Sequence, residues 1–181
     1  MYPRARAPVG AARVLALVDV TRRYELAVRE LALGPLRRSR VLVLTRKGSP
    51  IAQEFRRSRR RRMFGGGEEG VALAYLVSGT PHPRAVGEWE FELAPSQPHI
   101  MGAVSAAVES WPEGVTVVLD SLTDLCTLNG VDDTRELVRN LVRVLRDVDS
   151  VVLLMVRGAH PAPEVESFAR ALGVEGTLGL P

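Results

Sequence analysis

Short apolar runs alternate with amphipathic segments along the 181 residues of the chain. The runs have the length of buried strands, and the segments between them repeat apolar residues at the spacing of helices that pack on a sheet. This alternation is typical of βαβ units and predicts a parallel sheet. The predicted strands are 13–18, 41–45, 71–77, 115–120 and 151–156, with a short edge strand near 89–93 and a short last strand at 174–178.

Capping residues and helix breakers predict where the helices begin and end. Thr21 is the predicted N-cap of a first helix that ends near Leu33, before Gly34 and Pro35. Pro50 opens a second helix, which continues into an arginine-rich stretch. A third predicted helix runs from Ser96 or Gln97 to just before Pro112. A fourth begins at Asp133, which has the capping-box spacing with Glu136, and ends at about Val148. The last predicted helix runs from 163 to 172.

These elements predict an α/β fold of three layers, with a mostly parallel central sheet and helices on both faces. The length suits one domain over 1–181, with 1–12 as an N-terminal extension and 56–70 as a basic, glycine-rich mobile segment.

A single cysteine, Cys126, excludes an internal disulfide framework. No apolar run approaches the roughly 20 residues that span a bilayer, and no secretory signal is recognisable, so we expect a cytoplasmic protein that does not bind membranes.

The net charge of +3 conceals a local concentration of basic residues. Residues 37–62 hold eleven of the 24 basic residues and one of the 21 acidic residues, and the rest of the chain has a net charge of −7. Local charge of this kind indicates a partner more than global charge does. The densest part consists of Arg56, Arg57, Arg59, Arg60, Arg61 and Arg62. Phosphate backbones, an acidic protein partner and simple solvation of a helix end all remain open for this cluster.

The sharpest motif is the run VTVVLDSLT at 115–123. Apolar residues lead to Asp120 where a buried parallel strand emerges at its carboxyl end, the edge of an open α/β sheet at which ligands bind. A carboxylate in this position can hold Mg²⁺ against nucleotide phosphates. It can also be a structural residue that bonds to nearby backbone or caps the next turn.

The stretch VVLDSLTDL resembles the Walker B strand of the RecA and KaiC superfamily, in which an Asp-Ser pair commonly follows the apolar run. In length and layout the chain is similar to small archaeal KaiC-like domains of unknown function. The resemblance covers about 13–178, and its specific part is 115–130. It implies a RecA-like core in which Asp120 and Ser121 are a Walker B-like remnant at the cofactor site. A core of this type would place the Asp120 strand beside the first strand or one strand away from it.

Two departures from this family predict that the chain is not an ATPase. The first strand should lead into G-x-x-x-x-G-K-[ST], whose backbone N–H groups and lysine hold the phosphates. Residues 19–25 read DVTRRYE instead, with no glycine and no lysine. The second strand ends in Thr45 and Arg46, without the glutamate that RecA-like proteins usually place there to activate water. We therefore expect no enzyme activity by the P-loop mechanism and no bound cofactor.

The spacing of residues also bears on an anion site and on a metal site. Arg46, Lys47, Gly48 and Ser49 could bind an anion at the start of the second helix, although such loops also occur without a ligand. The histidines, His82, His99 and His160, show no metal-ligand spacing among themselves or with Cys126, so no metal site is expected.

The preferred hypothesis is a non-hydrolysing RecA/KaiC-like domain that serves as a regulatory or assembly module and binds a protein partner or a second copy of itself. One alternative is a nucleic-acid-binding accessory protein that uses the arginines between Arg56 and Arg62. The other is a nucleotide binder with a remodelled phosphate site around 46–49.

Overall fold

The computed structural model describes the backbone of residues 11–34, 40–63 and 70–180, and the side chains outside 59–63. The strands are β1 Arg13–Val18, β2 Arg40–Arg46, β3 Val71–Leu76, β4 Arg84–Gly87, β5 Glu90–Leu93, β6 Val115–Asp120, β7 Ser150–Val156 and β8 Leu178–Gly179. The helices are α1 Tyr24–Leu33, α2 Pro50–Met63, α3 Gln97–Ser110, α4 Leu122–Asn129, α5 Val131–Val144 and α6 Ala162–Leu172.

The strands form one mixed sheet in the order β4-β5-β3-β2-β6-β7-β1-β8. Neighbours are parallel except for β4, which pairs antiparallel with β5. The Asp120 strand, β6, is separated from β1 by β7 alone. This order is consistent with a RecA-like core, and it confirms the predicted α/β fold class.

Alternating side chains along the strands divide the core into two layers. Leu42 and Leu44 of β2 pack into the cluster beneath α3, α5 and α6. Val41 and Val43 point to the opposite face and pack beneath α1 and α2. Because central parallel strands are covered on both faces, nearly every residue of β2, β6 and β7 is buried. The two layers of helices confirm the predicted three-layer arrangement.

The start of α1 differs from the prediction. Thr21 is not the N-cap: the helix begins at Tyr24, with Arg23 at the cap position. The carboxylate of Asp19 accepts hydrogen bonds from the backbone N–H of Thr21, at 3.0 Å, and from its hydroxyl, at 2.6 Å. Local bonding of this kind holds the chain in a turn and moves the N-cap from Thr21 to Arg23. The predicted end is correct, since Gly34 follows the last helical residue.

The structure contains a helix that the sequence did not predict, α4, directly before the predicted helix, which is α5. Gly130, at φ 89°, ends α4 and is the N-cap of α5, so Asp133 lies inside the first turn and does not cap it. The helix also stops at Val144, short of the predicted Val148. It stops because Asp149 accepts hydrogen bonds from the backbone and side chain of Arg146, which draws the chain out of the helical path.

The predicted edge strand near 89–93 is an internal strand. β5 pairs with β3 on one side and with β4 on the other, so β4 forms this edge of the sheet. β4 is only four residues long and has one apolar β-branched residue, Val86, so it shows no strand pattern in the sequence.

The segment 56–70 is helical in its first part, since α2 continues to Met63. Positions 64–69 of that segment, and 1–10 of the predicted extension, lie outside the described residues. Within the described ranges, no helix is both long and apolar enough to cross a membrane.

Candidate functional site

Asp120 lies at the carboxyl end of β6, on the face that α1 and α2 cover, and its exposed fraction is 7%. Thr45, its register partner on β2, donates a hydrogen bond from Oγ1 to Asp120 Oδ2 at 2.7 Å. With that proton directed to Asp120, Thr45 Oγ1 accepts from the Ser49 hydroxyl, which is 2.7 Å away. Ser49 Oγ accepts in turn from the backbone N–H of Ala52 at 3.0 Å. A directed hydrogen-bond chain thus leads from the start of α2 to the carboxylate.

Burial governs the ionisation of Asp120. Removal from water raises its pKa to about 6, because the charged form loses hydration. The Thr45 hydrogen bond opposes this shift, and the charges of Asp124 and Arg46 act in opposite directions. The carboxylate is therefore a poorly solvated group that accepts a hydrogen bond from Thr45.

Tyr24, the first residue of α1, lies near enough to Asp120 to interact with its charge. Its side chain is buried, and burial followed by the negative charge of Asp120 raises the pKa of the phenol. The turn that leads to Tyr24 bonds to itself, since the N–H groups of Thr21 and Arg22 donate to the side chain and carbonyl of Asp19. Backbone donors that a phosphate loop would offer to a ligand are here engaged within the turn.

Ser121 caps a helix. Its Oγ accepts a hydrogen bond from the backbone N–H of Asp124 at 3.2 Å, which places Ser121 at the N-cap of α4. The peptide bond between Asp120 and Ser121 is cis. Arg46 Nε lies 3.0 Å from Asp124 Oδ2 and so links the end of β2 to α4.

The other predicted anion contact, Lys47, also faces a carboxylate. Lys47 Nζ is 2.5 Å from Glu92 Oε1, and Arg84 Nη2 is 2.5 Å from Glu92 Oε2. Hydrogen bonds from Lys47 and Arg84 lower the pKa of Glu92, a buried residue of β5. Arg46 and Lys47 thus both have acidic partners, and the predicted anion site at 46–49 stays a prediction.

The arginine cluster is only partly described. Arg56 donates to Glu90 Oε2 and to the hydroxyl of Tyr75, both at 2.7 Å, and its guanidinium lies 5.7 Å from the centre of the Tyr75 ring. Arg57 is 4.0 Å from Glu54. Arg59, Arg60, Arg61 and Arg62 belong to α2, and their side chains lie outside the described part. Arg56 therefore has a structural role that the charge run did not reveal.

The structure also brings together a cluster that sequence spacing missed. One ligand atom each from Cys126, His160 and Glu164 lies within 4.8 Å of the others. His160 Nδ1 is 2.7 Å from Glu164 Oε1, and His160 Nε2 is 3.0 Å from the hydroxyl of Thr123. The four-residue interval between His160 and Glu164 was the available sequence signal. Cys126, 34 residues before His160, joins them only because α4 packs against the end of β7.

An apolar cavity of about 360 Å³ lies between α3 and the outer strands. Its floor includes Ala72 and Ala74 of β3, and small residues of α3 such as Gly102 and Ala106 form one wall. It is bordered by three aromatic side chains, those of Trp89, Phe91 and Trp111. Trp89 and Phe91 are 43% and 37% exposed, so the cavity opens to the surface on their side.

Comparison with known proteins identifies a shared fold. No family model matches the chain, and no curated protein matches it significantly. Among solved structures it is similar to the PH0250 protein of Pyrococcus horikoshii OT3, with 14% identity, a TM-score of 0.61 and coverage of 97% of this chain and 84% of that chain. It also matches the Aeropyrum pernix Orc1 protein, solved in complex with DNA, with 16% identity, a TM-score of 0.39 and coverage of 87% and 44%. The first match shows a common fold, and the second is too remote to bear on function.

Proposed function

We propose that this chain is a non-hydrolysing RecA/KaiC-like domain of the cytoplasm that acts as a regulatory or assembly module by binding a protein partner. The RecA/KaiC assignment is supported by the Asp-Ser pair at the end of β6 and by the single strand that separates β6 from β1. The apolar cavity beside α3 is the observation that carries the binding role.

In the region where a related ATPase would hold phosphates, the contacts favour a structural role for the residues over ATP hydrolysis. Asp120 accepts the hydrogen bond of Thr45, and Tyr24 is buried next to it. The turn at 19–22 directs backbone N–H groups to Asp19 rather than outward. A negative side chain at that turn also opposes the approach of an anion.

The cavity has the features of a protein-binding surface. Among the described residues, those that line it include no aspartate, glutamate, lysine or arginine. Its volume would admit one or two bulky apolar side chains, and aromatic residues at the rim are typical anchors of interfaces. On this face α3 contacts β2 and β6, so the outer strands β3 and β5 contribute an apolar floor beyond the helix.

We take a second copy of this chain as the occupant. The rim presents two exposed apolar side chains, Trp89 and Phe91, beside the groove that could receive them. A two-fold pairing uses the same patch on both molecules, so each could insert its rim residues into the other's groove. β4 lies at the end of the strand order in the described sheet, which leaves its outer edge available to the same contact.

The mass of the protein in solution tests this proposal. Light scattering over a concentration series is expected to show a dimer that dissociates on dilution. Gly102→Phe should shift the protein to the monomer, because a Cβ at Gly102 meets nothing within 4 Å and the added ring would fill the groove without displacing the core.

Gly176→Phe is the matched control, since a Cβ there also meets nothing within 4 Å and the residue does not line the cavity. It should leave the dimer unchanged. A monomer at every concentration, or equal effects of the two substitutions, would contradict assembly through this groove.

A further inference from the structure

We propose that Cys126, His160 and Glu164 form a Zn²⁺-binding site at the carboxyl end of β7. The three residues come from α4, from the loop after β7 and from the first turn of α6. A zinc ion at this point would join three segments that are distant in sequence. The proposal is independent of the groove beside α3 and of the assembly role.

The spacing of the ligand atoms suits a small adjustment on binding. They lie within 4.8 Å of one another without an ion. Zinc bonds of about 2.3 Å to sulfur and about 2.0 Å to nitrogen and oxygen bring tetrahedral ligands to roughly 3.5 Å apart. Binding would bring Cys126 Sγ nearer to the other two ligand atoms and move His160 Nδ1 and Glu164 Oε1, now 2.7 Å apart, slightly away from each other, which are shifts on the scale of side-chain rotation.

The orientation of His160 is fixed in the way a metal ligand requires. Its Nε2 is 3.0 Å from Thr123 Oγ1, a hydroxyl that also accepts from the backbone N–H of Val156 at 2.9 Å. Its Nδ1 faces Glu164 at 2.7 Å. Nδ1 is therefore the nitrogen placed to share an ion with Glu164, while Nε2 would donate to Thr123. Ligating histidines commonly use their second nitrogen in this manner.

The surroundings of the cluster would shield a bound ion. The side chain of His160 is 8% exposed and that of Glu164 is 20% exposed. Cys126 is half-buried, and the hydroxyl of Thr134 interacts with its sulfur. Arg135, the nearby cation on α5, contacts Ser167 and pairs with Asp132, so its charge is directed to another carboxylate.

The donor set identifies the class of metal. One thiolate, one imidazole and one carboxylate match the borderline-soft preference of Zn²⁺, whereas Mg²⁺ and Ca²⁺ prefer oxygen alone. Three protein ligands leave a fourth position for water or for an oxygen or nitrogen of a small ligand. Binding of an ion would release the proton of the Cys126 thiol to solvent, and a neutral His160 would carry its one N–H proton on Nε2, facing Thr123, instead of on Nδ1.

Titration of the full chain with Co²⁺ tests the site, because cobalt in zinc sites reports its ligands by absorption. We expect one equivalent to bind with a thiolate-to-cobalt charge-transfer band, and one equivalent of Zn²⁺ to displace it. Since Cys126 is the one cysteine in the sequence, the band can arise only from that residue within a single molecule.

Matched substitutions separate this site from adventitious binding. Cys126→Ser should abolish the band, and His160→Gln and Glu164→Gln should each weaken Co²⁺ binding about tenfold or more. The controls are His82→Gln, an exposed histidine, and Glu166→Gln, an exposed glutamate of the same helix as Glu164. Both should leave the affinity unchanged.

A measurement on the unmodified protein guards against variants that fail to fold. One equivalent of Zn²⁺ should slow alkylation of Cys126 about tenfold or more. The proposal is overturned if no charge-transfer band forms, if Zn²⁺ does not protect the thiol, or if the His160 and Glu164 variants bind Co²⁺ as tightly as the controls.

Discussion

Asp120 ends a chain of hydroxyl groups that starts at the first turn of α2. Ser49 and Thr45 connect the backbone N–H of Ala52 to the carboxylate, and each hydroxyl both donates and accepts. One hydrogen bond does not replace the hydration that the buried carboxylate loses, which is why its pKa rises to about 6. At neutral pH the ionised form therefore costs stability.

Replacing this carboxylate should reveal that cost as a pH dependence. The pKa of Asp120 is higher in the folded state, about 6, than its ordinary value of 3.8, so its stabilising contribution is complete below pH 3.8 and lost as the pH rises through 6. Asp120→Asn cannot ionise but can still accept the Thr45 bond. The unfolding free energy of the variant minus that of the wild type should rise by roughly 3 kcal/mol between pH 3.5 and pH 7.

Urea unfolding at several pH values measures this difference, with Asp147→Asn, an exposed aspartate, as the control for loss of one negative charge. A difference for Asp120→Asn that stays constant across the range would show that Asp120 is solvated or paired in a way the fold does not indicate.

At the scale of elements, α3 is shaped by small residues on the side that borders the cavity. Gly102 lies inside the helix with open space around the position of a Cβ, whereas Gly173, at the C-cap of α6, has φ 79° and approaches Arg13. The same residue type therefore has opposite consequences in the two helices. Only in α6 does the backbone require glycine.

Alanine substitutions at these two glycines should change stability in opposite directions. Gly102→Ala should raise the unfolding free energy by about 0.5–1 kcal/mol, because alanine restricts the unfolded chain and meets no atom in the folded one. Gly173→Ala should lower it by about 1 kcal/mol, because a side chain is strained at positive φ. Denaturant unfolding of both variants is the test, and the same sign for both would contradict the assignment.

At the scale of the whole molecule, β7 alone separates β6 from β1, and Asp120 is buried at the carboxyl end of β6. Asp120 accepts a hydrogen bond from the hydroxyl chain and interacts electrostatically with Tyr24 and Asp124, and the cations Arg46 and Lys47 each contact an acidic residue. A nucleotide would have to displace these contacts without the backbone donors of a phosphate loop. The balance of these interactions favours a domain that does not bind ATP.

Thermal unfolding with and without millimolar ATP and Mg²⁺ tests this balance. We expect the midpoint to change by less than about one degree, because a ligand stabilises only when its concentration exceeds its dissociation constant. A rise of several degrees would contradict the proposed function. The variant Arg46→Ala would then decide whether the loop at 46–49 is the phosphate site, since loss of the rise would identify it.

The candidate site shows how far the sequence could be interpreted. Asp120 at a strand end, and the missing glycines and lysine at 19–25, follow from local sequence, because strand endings and phosphate loops have short-range signatures. The hydrogen-bond partner of Asp120 cannot be predicted from local sequence, because Thr45 is 75 positions away and lies beside Asp120 only through the register of β2 and β6. The cluster of Cys126, His160 and Glu164 has no such short-range signature either, because Cys126 reaches His160 only through packing.

The sequence alone determined the α/β class, most strand positions and the absence of a phosphate loop, because hydrophobic periodicity and helix breakers act over a few residues. The tertiary structure decided that an unpredicted helix, α4, ends at Gly130 where α5 begins, that β4 rather than β5 forms the edge, and that Arg56 pairs with Glu90. It also decided which polar side chains lie within contact of one another, such as Thr45 and Asp120. Those outcomes depend on contacts between segments far apart in the chain, where packing and burial outweigh local preference.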